Sequence, residues 1–274
     1  MRASLLARLA RSIAVAALPM ALGACLLFTE FSGISDGDRS ATDASVDADL
    51  SAPGIDGSPS TPSSYQAAVL ADRPVGYWRF EENAASEPAR DEVGGNHGVY
   101  VGKVVLGQAG VAREGSAVRL GDGETKITVA NVFDFAGQPF SVEAWIVADA
   151  ADLGQYRGIA VKAGDDGAGQ RQGWAFWVYG GLRFELNRDG TFYNTNAPYA
   201  AGTPAHVVAT SDGTKGRIYV NGRLEKEDPA QLLEPNPAQV TFGARFVGLL
   251  DELALYDQAL TEAQVRAHYD AGRR

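Results

Sequence analysis

Among its 274 residues the chain has one cysteine, Cys25. No disulfide can form within a single chain, so the fold must stand on its hydrophobic core. Base is scarce: 24 Lys and Arg face 34 Asp and Glu, for a net charge of −10. Such a surface repels phosphate backbones and anionic headgroups, which excludes nucleic acid as a partner. Long apolar runs are missing. The stretch from Ile13 to Leu22 is short and interrupted by Pro19, whereas a permanent bilayer span needs ~20 apolar residues. Catalytic patterns are missing as well. Ser, His and Asp form no nucleophile constellation. No strand-like segment carries two glutamates and an aspartate at alternating positions, the arrangement by which a retaining glycosidase of a β-sandwich would hold two carboxylates ~5 Å apart. Glu143 stands singly among apolar and aromatic neighbours. Glu81-Glu82 and Asp251-Glu252 are adjacent pairs, expected to point to opposite sheet faces. His97, His206 and His268 share no metal-ligand spacing, and His206 reads as a satisfied structural histidine. The expectation is a protein that is not an enzyme.

What is present begins at the N-terminus. Arg2, Arg8 and Arg11 precede the apolar stretch, which ends in Leu22-Gly23-Ala24-Cys25. A basic start, a short apolar core and small residues at a cut site mark an export signal. The arrangement resembles a bacterial lipoprotein signal peptide, which is cut just before the cysteine. That resemblance implies a signal peptide over 1–24, lipid on Cys25, and export with anchoring to a membrane through that lipid. Acyl chains contribute ~0.8 kcal/mol per buried methylene, so a multiply acylated terminus holds firmly. Leu26, not aspartate, follows the cysteine, which by the precedent of such lipoproteins favours the outer membrane. Loss of the three leader arginines deepens the net charge from −10 to −13. Residues 25–64 then form the lipidated N-terminus and an acidic Ser/Asp/Pro-rich tether. Aromatics are absent from 32–64, and too little apolar surface exists there to offset ordering entropy, so the segment reads as disordered. Its r.m.s. reach would be ~30–35 Å. Its aspartates lack the regular spacing of a calcium loop.

Residues 65–274 have ordinary globular composition, at single-domain length for a β-sandwich. Val75 to Phe80, Lys126 to Val129, Trp174 to Tyr179, Val240 to Phe242 and Leu249 to Tyr256 read as strands. In Phe140 to Val147 the residues Phe140, Val142, Ala144 and Ile146 share one face. Leu182, Phe184 and Leu186 alternate with Arg183, Glu185 and Asn187, the pattern of a half-buried strand. Asn221-Gly222 between two strand-like runs predicts a hairpin, because that pair accepts the positive φ of a type I′ turn. Ser64 caps a short helical turn through Leu70. Thr261 and Gln264 form a capping box for a helix to about Asp270, stopped by Gly272.

The order of these segments resembles the laminin-G-like, concanavalin A-like jelly roll. The residues that carry it run from Tyr77-Trp78-Arg79-Phe80-Glu81-Glu82, through Asp91 and Gly94 to Gly98, Gly115 to Leu120, Phe140 to Trp145 and the Asp212–Gly222 hairpin. They end in Gly248 to Tyr256, which leads into Ala259-Leu260-Thr261. The resemblance implies an all-β, two-sheet antiparallel sandwich with a convex and a concave sheet and a short C-terminal helix. It also implies one structural calcium ion where the first and last strands meet. Asp251 matches a position that could supply a ligand, with Asp91 and Asn96 as the next candidates. The alternatives are that Asp251 is a buried carboxylate pinning a loop, and that Asp91 makes an Asx-turn.

Lectins, glycosidases, lyases and adhesive modules share this fold, so side chains must decide function. Ligand contact is expected on the concave sheet and its rim loops. Trp174 and Trp177, three apart in one strand, face opposite sides, so that one is core and the other exposed. Asn187 to Asn196 reads as a loop mixing aromatics with Asn and Arg, and Arg171 precedes the tryptophan strand. The candidate contacts are Trp174, Tyr193, Asn196 and Arg171. The leading expectation is a membrane-anchored surface lipoprotein that binds extracellular carbohydrate or glycoprotein without catalysis. An envelope protein as the only partner, or a divergent polysaccharide hydrolase or lyase, are the alternatives.

Overall fold

The computed structural model describes residues 64–121, 123–149, 154–165 and 171–273, all within the compact unit Ser58–Arg274. Cys25, the leader and the tether lie outside the described residues. In chain order the elements are α1 (Ser64–Ala71), β1 (Gly76–Trp78), β2 (Val99–Val101), β3 (Val105–Ala109), β4 (Ser116–Leu120), β5 (Lys126–Thr128), β6 (Phe140–Ala148), β7 (Arg157–Asp165) and β8 (Arg171–Val178). There follow β9 (Leu182–Arg188), β10 (Thr191–Ala197), β11 (Ala205–Ser211), β12 (Lys215–Val220), β13 (Arg223–Pro229), β14 (Thr241–Phe242), β15 (Gly248–Tyr256) and α2 (Glu262–Gly272).

The strands form two antiparallel sheets, a jelly-roll sandwich. One has eight strands in the order β13-β12-β11-β6-β15-β4-β3, with β1 beside β15; the other has seven, β10-β9-β8-β7-β14-β5-β2. The main core lies between them. It takes Phe140, Val142, Ala144 and Ile146 from β6, Leu182, Phe184 and Leu186 from β9, and Trp174, Phe176 and Val178 from β8. Strand alternation thus sorts these residues as their sequence pattern predicts.

A second apolar layer covers the far side of the eight-stranded sheet. Tyr65 and Val69 of α1 and Val265 of α2 pack there with Trp145, Val208, Ala254 and Tyr256. The Thr261–Gln264 capping box forms at the start of α2. At its other end Gly272 lies against Trp145, where an added Cβ would come within 2.6 Å of the indole.

This second layer is tied together by a polar centre. Glu143 is fully buried. Its carboxylate accepts from the Tyr65 and Tyr256 hydroxyls at 2.9 and 2.7 Å. It also bonds His206 Nε2 at 2.6 Å and His268 Nδ1 at 3.0 Å. His268 Nε2 in turn faces Asp72 Oδ2 at 2.9 Å. The sequence leaves Glu143 solitary and the histidines unrelated, whereas β6, β11 and α2 bring them to one point. Burial alone would raise the pKa of Glu143; His268 and His206 outweigh it and hold the carboxyl below its usual range. Burial pulls His268 down, but Glu143 and then Asp72 outweigh it and raise it to about 9.

The adjacent pair in β15 also departs from expectation. The register slips between Asp251 and Ala254, and Glu252 adopts φ +48°, the mark of a β-bulge. Both carboxylates therefore lie on the side of the second layer. Asp251 accepts from Val111 N and Ala112 N, and Glu252 accepts from Tyr77 Oη and pairs with Arg79 at 3.0 Å. Desolvation, followed by the neighbouring Glu252 charge, pushes Asp251 well up. Burial lifts Glu252 to about 7 in spite of Arg79.

Candidate functional site

The helices leave the outward face of the seven-stranded sheet uncovered, and its side chains follow from register. Trp177 pairs across β8 and β9 with Arg183, which pairs with Asn196 of β10. Ala175, Glu185 and Asn194 form the next row, and Gly173, Asn187 and Phe192 the third. Residues directly opposite one another share a sheet face. All of these therefore stand on the side away from Leu182, Phe184 and Leu186.

A cleft of about 420 Å³ opens on this face, lined by Tyr156, Arg171, Trp177, Glu185, Phe192 and Arg245 with Ala244. Its aromatic wall is ordered. The Tyr156 ring stacks on Tyr179 at 4.3 Å and 8°, and meets Trp177 edge-on at 5.4 Å. The Arg183 guanidinium sits over Tyr156 at 5.5 Å. Tyr156, Tyr179 and Phe192 stay 37–50% exposed, open to a flat ligand. The polar centre is Glu185, 4% exposed. Its oxygens lie 3.7 Å from Arg171 Nε and 3.5 Å from Arg183 Nε, and Asn187 Nδ2 donates to it at 3.1 Å. Arg183 Nε also donates to Asn194 Oδ1 at 3.2 Å. Both arginines stand beyond ideal pairing distance from Glu185, leaving donor capacity for a guest.

The nominated contact residues divide. Arg171 lines the cleft and Asn196 extends from the same face. Trp174 belongs to the main core, fully buried, with its indole N–H donated to Phe133 O at 3.0 Å. Tyr193 is half-buried against the main core. The two tryptophans face opposite sides as expected, but neither is exposed: Trp177, on the outward face, is only 8% exposed and packs with Val161 and Ala175. The expected loop 187–196 is instead the β9–β10 hairpin. Its turn is Asp189-Gly190, both at positive φ (49° and 72°). Asp-Gly is the sequence signal that identifies such a turn, and once the strands extend through it, alternation puts Phe192 and Asn194 beside Glu185.

Of the nominated calcium ligands, the Asp91–Asn96 pair does not fit a cation. The Asp91 carboxylate accepts from Tyr77 N, Val93 N, Asn96 N and Asn96 Nδ2, at 2.9–3.3 Å. The bond to Val93, two residues on, is an Asx-turn, and the oxygens meet N–H donors where a cation would need free lone pairs. Asp251 serves a different loop through one oxygen, which accepts from Val111 N and Ala112 N, while its Oδ1 is buried with no hydrogen-bond partner among the described residues. Among the described residues no group of three or more His, Cys, Asp and Glu is arranged to hold a metal ion.

The architecture is that of a jelly-roll sandwich with an open cleft on the outward face of one sheet. The chain belongs to the concanavalin A-like lectin/glucanases superfamily, whose laminin-G family model matches residues 121–266. No curated protein matches it in sequence. Among solved structures, the binding domain of Paraclostridial Mosquitocidal Protein 1 superposes with a TM-score of 0.61 at 16% identity, over 73% of this chain and 52% of that one. A structure of botulinum neurotoxin type C, whose cell entry depends on two ganglioside molecules, gives 0.60 at 15% identity over 75% and 53%. Domain 4 of AbnA, an extracellular arabinanase from Geobacillus stearothermophilus in complex with arabinotriose, gives 0.57 at 18% identity over 72% and 98%. The chain thus spans about half the length of the toxin chains and nearly all of the arabinanase domain. These likenesses define the fold.

Proposed function

We propose that this is an exported protein, tethered through lipid on Cys25 to a bacterial membrane, the outer one favoured, whose domain binds extracellular carbohydrate without altering it. The observation that carries the reading is the cleft at Trp177. An exposed aromatic wall stands beside one buried carboxylate flanked by two guanidiniums. A sugar ring lays its C–H face on such a wall. Glu185 accepts from its hydroxyls, while Arg171 and Arg183 donate to them. A mostly apolar cleft with a few convergent polar groups is the usual form of a small-ligand site. The absence of turnover in this reading rests on β9. The positions flanking Glu185 on its face carry Arg183 and Asn187, so no second carboxylate from that strand could complete a hydrolytic pair. The carbohydrate-bound arabinanase domain and the ganglioside-dependent toxin support a glycan as partner.

The test is a glycan array of the purified protein, followed by calorimetry on any hit, with calcium and then with chelator. Saturable binding is expected, reduced at least tenfold by Trp177→Ala or Arg171→Gln and unchanged by chelator. A blank across the array from folded protein would move the function to a protein partner. Turnover of any bound polysaccharide would make this an enzyme.

A further inference from the structure

A second cleft lies on the opposite face of the molecule. Its volume is about 340 Å³, within the ~300–1,000 Å³ range of ligand sites. One wall is the segment 109–113, another the end of α2, and the floor is Trp145 with Val147 and Leu249 of the eight-stranded sheet. Two arginines, Arg113 and Arg273, enter it, and no acidic side chain lines it. Neither arginine has an ion-pair partner among the described residues, and both are exposed. Uncompensated base in this place is notable on a chain of net charge −10.

The cleft is built rather than incidental. The Asp251 carboxylate reaches up from β15 and fixes the wall through the N–H groups of Val111 and Ala112, at 2.7 and 3.1 Å. Arg113, the next residue, is held at φ +62°, a costly conformation for a residue with a Cβ, of the kind that gathers at functional positions. The acid beside it, Glu114, is engaged elsewhere, accepting from Ser64 Oγ. Below, Tyr269 stacks on Trp145 at 6.0 Å and 21°, and Arg273 lies 5.5 Å from the Tyr269 ring centre. Trp145 is 4% exposed, and its indole nitrogen has no hydrogen-bond partner.

We infer that this cleft is a second binding site, for an acidic monosaccharide unit of the uronic acid class. Trp145 and Tyr269 give the cleft an apolar lining against which the ring can pack, and the two guanidiniums match a carboxylate, to which arginine bonds in bidentate fashion. The site shares no lining residue with the cleft at Trp177. Its existence does not depend on what that cleft binds.

The experiment is an NMR titration of the full chain with sodium glucuronate, glucose and inorganic phosphate, following the four tryptophan indole N–H signals. Trp145→Phe assigns the reporter. Glucuronate should shift the Trp145 signal saturably at millimolar concentration, and glucose should leave it in place. Arg113→Gln and Arg273→Gln, both at exposed positions, should each weaken binding roughly tenfold or more. Arg171→Gln, in the other cleft, should have no effect. Equal responses to glucose and glucuronate would overturn the assignment, as would persistence of the shift in both arginine variants. Phosphate competing as tightly as glucuronate would reduce the site to a simple anion site and overturn it too.

Discussion

Glu143 and Lys162 show two ways of keeping a charge inside this protein. Glu143 is surrounded by two tyrosine hydroxyls and two imidazoles, and no solvent reaches it. A substrate cannot reach it either, so it holds the second layer together and is no candidate acid or base. Glu143→Gln removes the charge that His268 was recruited to meet. Breaking a buried pair costs about 3–5 kcal/mol, and urea unfolding should show a loss of at least about 3 kcal/mol. Sugar binding by the protein that remains folded should be unchanged. Lys162 is the cationic counterpart. It is fully buried, and burial draws its pKa down. Its ammonium is caged by Asn131 Oδ1 at 2.6 Å, Ala238 O at 2.5 Å, Asp134 Oδ1 at 3.1 Å and Asn236 O at 3.3 Å. It thereby staples two loops at the edge of the main core. Lys162→Met orphans those oxygens. The expected loss is about 3 kcal/mol, the lower end of the range because Asp134 is partly exposed to water. Thermal melts check this, and an unchanged midpoint would mean that the loops hold without it.

The elements show how far the chain can be read without coordinates, and where reading stops. The capping box at Thr261 and the alternation in β6 and β9 are local patterns, and they appear where the pattern puts them. The β9–β10 hairpin is equally local. Its Asp189-Gly190 signal is overshadowed by a polar and aromatic composition that resembles a rim loop. The bulge in β15 carries no such signal, because Glu252 is a poor residue for φ +48° and adopts it under tertiary constraint. That constraint brings Asp251 and Glu252 to one side. The meeting of His206 and His268 on Glu143 is likewise a matter of packing, since residues far apart in sequence converge only once α2 docks. The same holds for the choice between Trp174 and Trp177: alternation separates them, but only the neighbouring sheet says which side is inside. The hairpin supports a prediction of its own. Gly190 sits at φ +72°, where a Cβ costs about 1–2 kcal/mol. Gly190→Ala should lower stability by that amount, and because the turn sets the position of Phe192 and Asn194, it should weaken sugar binding several-fold in calorimetry. Thr261→Ala, which removes the cap of α2, should cost about 1 kcal/mol and leave sugar binding untouched.

At the scale of the whole molecule the buried charges give stability an acid-side maximum. His268 is raised from 6.5 to about 9 in the folded state. Its contribution is fully present below pH 6.5 and is lost as pH climbs through 9, which for a buried group amounts to about 3 kcal/mol. Glu252, raised from 4.5 to about 7, acts in the same direction over an earlier window. The folded state holds its proton more tightly, so the contribution present below pH 4.5 fades as pH rises through 7, again by about 3 kcal/mol. Asp251, also raised, adds to that loss. Glu143 opposes them at the acid end. Its pKa is lowered, so its contribution is present above 4.5 and is lost as pH falls through its folded value. Stability should therefore peak near pH 4.5 and decline by several kcal/mol toward pH 9, in two overlapping steps. Urea unfolding at half-unit intervals measures the curve. His268→Gln should flatten the limb between 6.5 and 9 while leaving the slope between 4.5 and 7. Arg79→Gln should deepen the earlier step, because Arg79 is what keeps Glu252 from rising further. A wild-type curve level from pH 5 to 9 would mean that the layer under the two helices opens to water and holds none of these charges in the arrangement described.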